Sequence, residues 1–235
     1  MRSIKAITFD FGGTLCSGKL DSRAFREHLL EYLRGSGYPV TSTTLSKAID
    51  RALETLMRAR RKNVELKFED VYSSVLRRIG VRPTEETLDY VYGLYTRCFA
   101  SEPFEGVEEI LENLYKRYRL GIISNATSNL PREVLERRKL SHFFTVIVVS
   151  RDLGVRKPDP RIFLYTLNKL EVEASEALHI GDSMIEDIVG AKRVGMKTAW
   201  IKNEDAEVIE EPDFVLNSVT ELPKILTNMN RVREV

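Results

Sequence analysis

Disulfide chemistry, membrane-spanning segments and an excess of one charge are all missing from this sequence. Only two cysteines occur, Cys16 and Cys98, too few for the disulfide framework of a small secreted domain. No apolar run approaches the roughly 20 residues of a membrane-spanning helix, and the N-terminus lacks a signal-peptide core. Lys and Arg total 36 against 35 for Asp and Glu, so no nucleic-acid-binding surface is expected. We therefore expect a cytoplasmic protein without nucleic-acid or membrane partners.

Short β-branched runs, each ended by a polar or glycine-containing turn, provide the main structural signal. From Leu120 onward they alternate with helical patterns, which predicts βα units, a mainly parallel sheet and a doubly wound α/β fold. The sequence also predicts three helix N-termini. Ser183 and Ser218 have capping-box spacing to a following Glu, and Pro160 suits a first helical turn. The predicted strands are Ile4–Phe9, Leu120–Ser124, Thr145–Ser150, Ala177–Ile180, Lys197–Ile201 and Phe214–Leu216.

The segment 17–101 differs from the rest because it has almost no strand pattern. A connection of that length is too long for an ordinary βα loop. It predicts a separate helical domain, residues 17–101, inserted into an α/β domain formed by residues 1–16 and 102–235. The four predicted amphipathic helices are Ser22–Arg34, Ser42–Lys62, Phe68–Ile79 and Thr84–Ala100, with breaks at glycine, proline or Asn63.

Chemically reactive side chains follow the predicted strands, where parallel sheets bind their ligands. Asp10 comes directly after the first strand and precedes two glycines, which let the backbone approach a ligand closely. Ser124 and Asn125 end the second run. Each of these also fits a simple turn. Only their shared position at one sheet edge predicts a site.

Two further signals occur later in the chain. Lys157 precedes a predicted helix, although lysines at such positions are usually solvated. Asp182 follows a strand, and Asp187 lies in the first turns of the next helix. Two carboxylates there suit a hard cation, with a helix cap by Asp182 or Ser183 as the alternative.

The order of these signals resembles the haloacid dehalogenase-like superfamily of hydrolases over nearly the whole chain. The matching segments are Asp10-Phe-Gly-Gly-Thr14, Ile123-Ser124-Asn125, Lys157-Pro158 and Gly181-Asp182 through Asp187, followed by Gly190-Ala191 and Gly195. The helical insert resembles the α-helical cap of the branch that contains dehalogenases, phosphonatases and phosphatases. The resemblance implies a Rossmann-like core with a cap domain.

The same resemblance implies a Mg²⁺-dependent hydrolysis of small phosphate esters. Asp10 would attack phosphorus to form an aspartyl-phosphate, with Ser124 and Lys157 completing the catalytic set. Gly13, Thr14 and Asn125 would contact the substrate. The resemblance assigns the metal to Asp10, the Gly12 carbonyl, Asp182 and Asp187.

Gly12 departs from the family pattern. Phosphatases of this superfamily usually carry a second Asp two residues after the nucleophile, which protonates the leaving group. Positioned acid–base catalysis contributes about 10²–10⁴-fold, so three possibilities stay open. The substrate has a leaving group that is stable without protonation, a residue of the helical cap or a water molecule acts as the acid instead, or catalysis is not the main role.

Several alternatives therefore accompany the phosphatase prediction. Phosphonatases and 2-haloacid dehalogenases of the superfamily also lack that Asp, although Asp182 argues against a dehalogenase. A non-catalytic member that binds a phosphorylated ligand is another. Phospho-acceptor signalling domains combine similar residues, but they are shorter and order them differently. The sequence indicates neither the physiological substrate nor the choice between monomer and homodimer.

Overall fold

The computed structural model describes residues 3–202 and 207–231, which form two compact units. The first, here called the α/β unit, comprises the described parts of Met1–Ser17 and Glu102–Val235. The second, here called the helical unit, is Gly18–Ser101. No helix within the described residues is long and apolar enough to cross a membrane.

A six-stranded, fully parallel sheet organises the α/β unit. The predicted β-branched runs form its strands because buried parallel strands favour continuous apolar sequence. The strands are β1 Ala6–Phe9, β4 Arg119–Ser124, β5 Val146–Val149, β6 Ala177–Gly181, β7 Lys197–Ile201 and β8 Phe214–Leu216. Their spatial order is β5-β4-β1-β6-β7-β8, in which β1 is a central strand. The fold class was therefore predicted correctly.

Helices flank this sheet and bury its apolar side chains. Phe163 of α8, for example, packs with Ile123 of β4 and Val148 of β5 in one buried cluster. The helices are α5 Val107–Leu114, α6 Leu130–Arg137, α7 Ser150–Leu153, α8 Pro160–Leu170, α9 Gly190–Arg193 and α10 Leu222–Arg231. Pro160 occupies the first turn of α8, and Asp159 caps that helix, as Pro at this position predicts.

The helical unit contains four helices and a short antiparallel pair. Three helix N-termini are capped by polar side chains (Asp21, Thr41 and Thr84), each accepting a hydrogen bond from a backbone amide. The helices are α1 Ser22–Gly35, α2 Ser42–Arg60, α3 Phe68–Arg78 and α4 Glu85–Arg97; the strands are β2 Lys19–Leu20 and β3 Phe99–Ala100. All four helix predictions are confirmed to within three residues at each end.

The two expected capping boxes are wrong in detail. Ser183 does cap the following turn by accepting a hydrogen bond from the Glu186 amide, but the Glu186 side chain does not return to Ser183. That turn is a π-helix, Met184–Val189, rather than an α-helix. Ser218 caps a short 3-10 turn, and Glu221 accepts from the Asn217 amide instead. The Glu186 side chain instead binds residues distant in the sequence, and Glu221 binds the residue just before Ser218.

Candidate active site

Asp10 lies immediately after the central strand of the sheet. Residues of β1 pair with β4 on one side and with β6 on the other, and the Asp10 amide extends the second ladder by donating to the Ile180 carbonyl at 2.8 Å. The backbone on which this carboxylate sits is therefore fixed on a rigid element. Asp10 is only 8% exposed to solvent.

Lys157 joins Asp10 to a second buried carboxylate. Its ammonium donates to Asp10 Oδ1 and to Asp187 Oδ1, at 2.6 Å in each case. Lys157 itself is 1% exposed, so the solvated lysine that this position usually indicates is not what the structure contains. A buried lysine bound to two carboxylates holds a positive charge beside Asp10.

Asp187 is held by three donors. Besides Lys157, the ring of His179 contacts Asp187 Oδ1 through Nε2 at 3.1 Å, and the Ser183 amide donates to Asp187 Oδ2. Thr8 Oγ1 lies 2.9 Å from His179 Nδ1. Since a carboxylate only accepts, His179 donates from Nε2 and accepts the Thr8 hydroxyl proton at Nδ1. His179 is thus a buried residue with both ring nitrogens hydrogen-bonded.

Asp182 completes a group of three carboxylates. Ligand oxygens of Asp10, Asp182 and Asp187 all lie within 4.8 Å of one another. The approach depends on Gly13, which adopts φ 81°; a Cβ there would lie 2.3 Å from Asp182 Oδ2. Clustered carboxylate oxygens are the ligands that hard divalent cations prefer. The donor set therefore fits a divalent metal ion.

Burial and charge act in opposite directions within this group. Burial raises the pKa of Asp10 to about 7, with the Lys157 ammonium opposing the shift. For Asp187, burial is outweighed by Lys157 and His179, so its pKa is lowered. Burial also raises the pKa of Asp182 and lowers that of His179, which keeps the imidazole neutral. The cluster has more negative than positive charge, a property that favours a bound cation.

Asn125 forms a clamp on the backbone of Lys157. Its Oδ1 accepts from the Lys157 amide at 2.9 Å, and its Nδ2 donates to the Lys157 carbonyl at 3.1 Å. The same Nδ2 donates to Glu186 at 2.8 Å, and the other Glu186 oxygen accepts from Arg156. We call Asn125, Glu186 and Arg156 the Asn125 clamp. It ties the loop after β4 and the turn Met184–Val189 to the segment that carries Lys157.

The remaining predicted residues lie at the same edge of the sheet. Ser124 is the last residue of β4 and is 4% exposed. Gly13 and Thr14 line a cavity of about 570 Å³ in the α/β unit, together with Phe104 and Asn217. Thr14 is buried, and its hydroxyl has no hydrogen-bond partner among the described residues. A donor without a protein partner is available to a ligand.

Sequence reasoning missed the residues that support this group. Thr8, Arg156 and Glu186 contact the site only through tertiary pairing, and none follows a motif. One signal was available for Glu186, which is adjacent to Asp187 and therefore starts the same helical turn. The arrangement as a whole combines a buried carboxylate, a fixed ammonium and a cation-binding cluster, which suits nucleophilic attack on an anionic substrate.

Comparison with known proteins agrees with this chemistry. Residues 7–201 match the family model for haloacid dehalogenase-like hydrolases. The chain is 31% identical over 239 residues to the glyceraldehyde 3-phosphate phosphatase of Pyrococcus furiosus, covering 98% of this chain and 95% of that protein. A 2-haloacid dehalogenase structure from Pseudomonas syringae pv. Tomato is similar with a TM-score of 0.73 and 26% identity, over 96% of this chain and 99% of that one.

A second solved structure, a HAD phosphatase from Thermococcus onnurineus, has a TM-score of 0.64 and 26% identity, over 95% of this chain and 98% of that one. Some of these relatives are named phosphatases and another is named a dehalogenase, and they match this chain over almost their whole length. The family match spans most of the chain, from within β1 to the end of β7. The chain belongs to the haloacid dehalogenase-like hydrolase family, as its motifs predicted.

Proposed function

We propose that this protein is a Mg²⁺-dependent phosphatase of small phosphate esters with Asp10 as its nucleophile. The observation that carries the proposal is the contact of Asp10 with the Lys157 ammonium, beside the carboxylates of Asp182 and Asp187. A carboxylate nucleophile and a dianionic phosphate repel each other. Positive charge placed at the point of attack reduces that repulsion, and this site is built to hold it.

The names of relatives support phosphate as the substrate group. The Pyrococcus furiosus relative is a glyceraldehyde 3-phosphate phosphatase, and the Thermococcus onnurineus neighbour is a HAD phosphatase. The formal net charge of +1 also favours a small substrate over nucleic acid. With two cysteines, the cytoplasm remains the proposed location. Monomer and homodimer are equally compatible with these features.

Asp10, Asp182, Asp187 and the Gly12 carbonyl would hold the magnesium ion. When bound, the ion supplies charge neutralisation and orients the phosphoryl group for attack. Mg²⁺ prefers oxygen ligands, which this set provides. Asp187 is also fixed by Lys157, His179 and the Ser183 amide. Its role is therefore to keep the cluster in position as much as to ligate.

The chain's own residues then divide the chemistry. An Asp10 oxygen attacks phosphorus to form an aspartyl-phosphate, which water hydrolyses in a second step. Lys157, already placed 2.6 Å from Asp10, donates to phosphoryl oxygens as charge develops on them. Ser124 donates to the same oxygens from the end of β4. Gly13 and Thr14 contact the substrate, and Asn125 acts mainly through its hold on Lys157.

The two units are proposed to have different tasks. We assign catalysis to the α/β domain, residues 1–16 and 102–235, and substrate selection to a helical cap, residues 17–101. Supporting this division, every residue of the carboxylate group belongs to the α/β unit. The helical unit contributes an aromatic interior instead.

Dehalogenation is the second candidate, favoured by the Pseudomonas syringae dehalogenase structure and by the absence of an acid side chain at Gly12. A carboxylate nucleophile serves that reaction as well. However, displacing a halide requires no cation, so a cluster of three carboxylates has no purpose there. Phosphonatase chemistry has no comparable observation in its favour.

The decisive experiment measures hydrolysis of p-nitrophenyl phosphate and of 2-chloropropionate, each with magnesium and with chelator. We expect magnesium-dependent release of nitrophenol that Asp10→Asn abolishes. Asp152→Asn, an exposed aspartate on α7, is the matched control and should retain activity. Magnesium-independent chloride release without phosphate hydrolysis would instead establish a dehalogenase.

A further inference from the structure

Position 12 is an open place beside the proposed nucleophile. The loop after β1 turns tightly, because the amides of Leu15 and Cys16 both donate to the Phe11 carbonyl and Gly13 donates to Cys16. Within the described α/β unit, no heavy atom lies within 4 Å of the position that a Cβ on Gly12 would occupy. Gly12 is also outside the residues with positive φ. The backbone at position 12 would therefore accept a side chain, and no other group of the described α/β unit occupies that space.

The neighbouring polar groups are already engaged. Lys157 donates to two carboxylates, and Asp187 accepts from Lys157, His179 and Ser183. Glu186 is bound to Asn125 and Arg156. Asp10 and Asp182 are assigned above to attack and to the cation. Of the side chains in this cluster, each therefore has a task that conflicts with giving a proton to a departing oxygen.

We propose, on the basis of the phosphatase function above, that the substrates are phosphoryl compounds whose leaving group departs as a stable anion. Acyl phosphates, phosphoanhydrides and phenolic or enolic phosphates belong to this class, whereas phosphates of simple alcohols do not. A carboxylic acid ionises near pKa 4 and a phenol near about 10, but an alcohol is a far weaker acid. Expelling an alkoxide without a proton donor is correspondingly slow.

The reaction balances without an acid. An Asp10 oxygen forms a bond to phosphorus, and the bond from phosphorus to the leaving oxygen breaks with its electron pair remaining on that oxygen. Water then attacks the phosphorus, the bond to Asp10 breaks, and the carboxylate recovers its electron pair. Both water hydrogens leave on the product as dihydrogen phosphate. No proton needs to come from residue 12.

The test is a series of substituted phenyl phosphates, extended by acetyl phosphate and glycerol 3-phosphate. Under the proposal, kcat/KM of the wild type falls steeply as the leaving group becomes less acidic. We expect at least about 10² between p-nitrophenyl phosphate and the alkyl ester. An enzyme with a positioned acid shows a nearly flat series, because protonation removes the dependence on leaving-group acidity. A flat wild-type series would overturn the proposal.

Gly12→Asp provides the matched gain of function. It should raise the ratio of kcat/KM on glycerol 3-phosphate to kcat/KM on p-nitrophenyl phosphate by about 10²-fold or more. Gly12→Asn has the same size without an acid and should not produce that gain. An equal gain in both variants would contradict the proposal. Absence of magnesium-dependent turnover on every compound would refute the phosphatase assignment itself, whereas a flat series with good turnover refutes only this inference.

Discussion

The interiors of the two units are built from different chemistry. In the helical unit, Phe25, Phe68, Tyr72 and Tyr95 contact one another edge-on or tilted, with ring centroids 4.3 to 6.0 Å apart. In the α/β unit, Asp10, Lys157 and Asp187 are also buried but form an ionic network, to which the neutral His179 is hydrogen-bonded. Packing of buried aromatic rings stabilises the folded state, whereas buried charges destabilise it unless they are fully paired.

The comparison separates a region whose interior stabilises the fold from one whose buried charges serve chemistry. Replacing a buried ion pair by apolar residues is often neutral or stabilising, so a network of this size is poor evidence for stability and good evidence for a functional site. The helical unit's aromatic cluster requires no such explanation. Four substitutions test this contrast between the two interiors.

Lys157→Met should have the largest effect. It leaves Asp10 and Asp187 buried without their shared cation, so we expect a loss of about 3–5 kcal/mol in unfolding free energy. Turnover should also fall by at least about 10²–10³. Urea unfolding and steady-state kinetics measure the two effects. Lys169→Met, on the exposed side of α8, should change neither, and wild-type activity in Lys157→Met would refute the proposed role.

Phe68→Ala should be nearly as destabilising but for the opposite reason. Deleting a buried aromatic ring costs about 3–5 kcal/mol through lost burial and a cavity. The protein has one tryptophan, Trp200, and it lies in β7 of the α/β unit. In urea unfolding we expect far-UV circular dichroism to report earlier unfolding of helices than Trp200 fluorescence does. A shift confined to the fluorescence transition would contradict this assignment.

Asp10→Asn should stabilise the metal-free protein in a pH-dependent way. The folded-state pKa of Asp10, about 7, is above its ordinary value of 3.8, so folding takes up a proton between these values. That stabilisation is complete below about pH 4 and is lost as the pH rises through 7. The variant should therefore gain on the wild type over this range, by up to about 4 kcal/mol at pH 8.

Thermal unfolding with chelator at pH 5 and pH 8 measures that gain. The Tm difference between Asp10→Asn and wild type should be clearly larger at pH 8. An identical difference at both pH values would mean that Asp10 ionisation does not oppose folding.

Asn125→Ala should give the smallest of the four effects, since the Asn125 clamp acts through Lys157. We expect kcat to fall about 10–100-fold, as for other groups that orient a site residue, with KM little changed. Glu186→Gln, which retains hydrogen-bonding ability, should be milder. Asn129→Ala removes an exposed amide from the same loop and is the control. A rise in KM with unchanged kcat would favour direct substrate binding by Asn125.

The sequence predicted most of the fold because the relevant signals are local. After its first lysine, the run Lys197–Ile201 is apolar or β-branched, and the observed β7 has the same bounds. Strand ends were less exact: β1 begins at Ala6 rather than Ile4. The π-helix at Met184–Val189 was not predicted. Its Asp187 and Glu186 side chains bind partners that are distant in the sequence, and local spacing does not reveal them.

The residues of the candidate site were likewise predicted only in part. Asp10, Lys157, Asp182 and Asp187 follow strand ends or begin a helix, so topology alone indicated that they converge. Their supporting residues did not follow from any spacing. Thr8, for instance, is a β1 residue whose importance depends on His179 at the directly paired position of β6. Cross-strand partners become visible only when strand order and register are known.

The point where the chain leaves and re-enters the α/β unit determines how easily the inserted segment can vary in length. Cys16 pairs with Pro103, and the Ser17 amide donates to the Glu102 carbonyl at 2.8 Å. The two ends of the insertion are thus already held side by side by the α/β unit itself. Closing a loop between adjacent ends costs an entropy that grows only slowly with loop length. Insertions of very different size can therefore occupy this place with little effect on the stability of the sheet, which makes the junction a natural point for exchanging one inserted module for another.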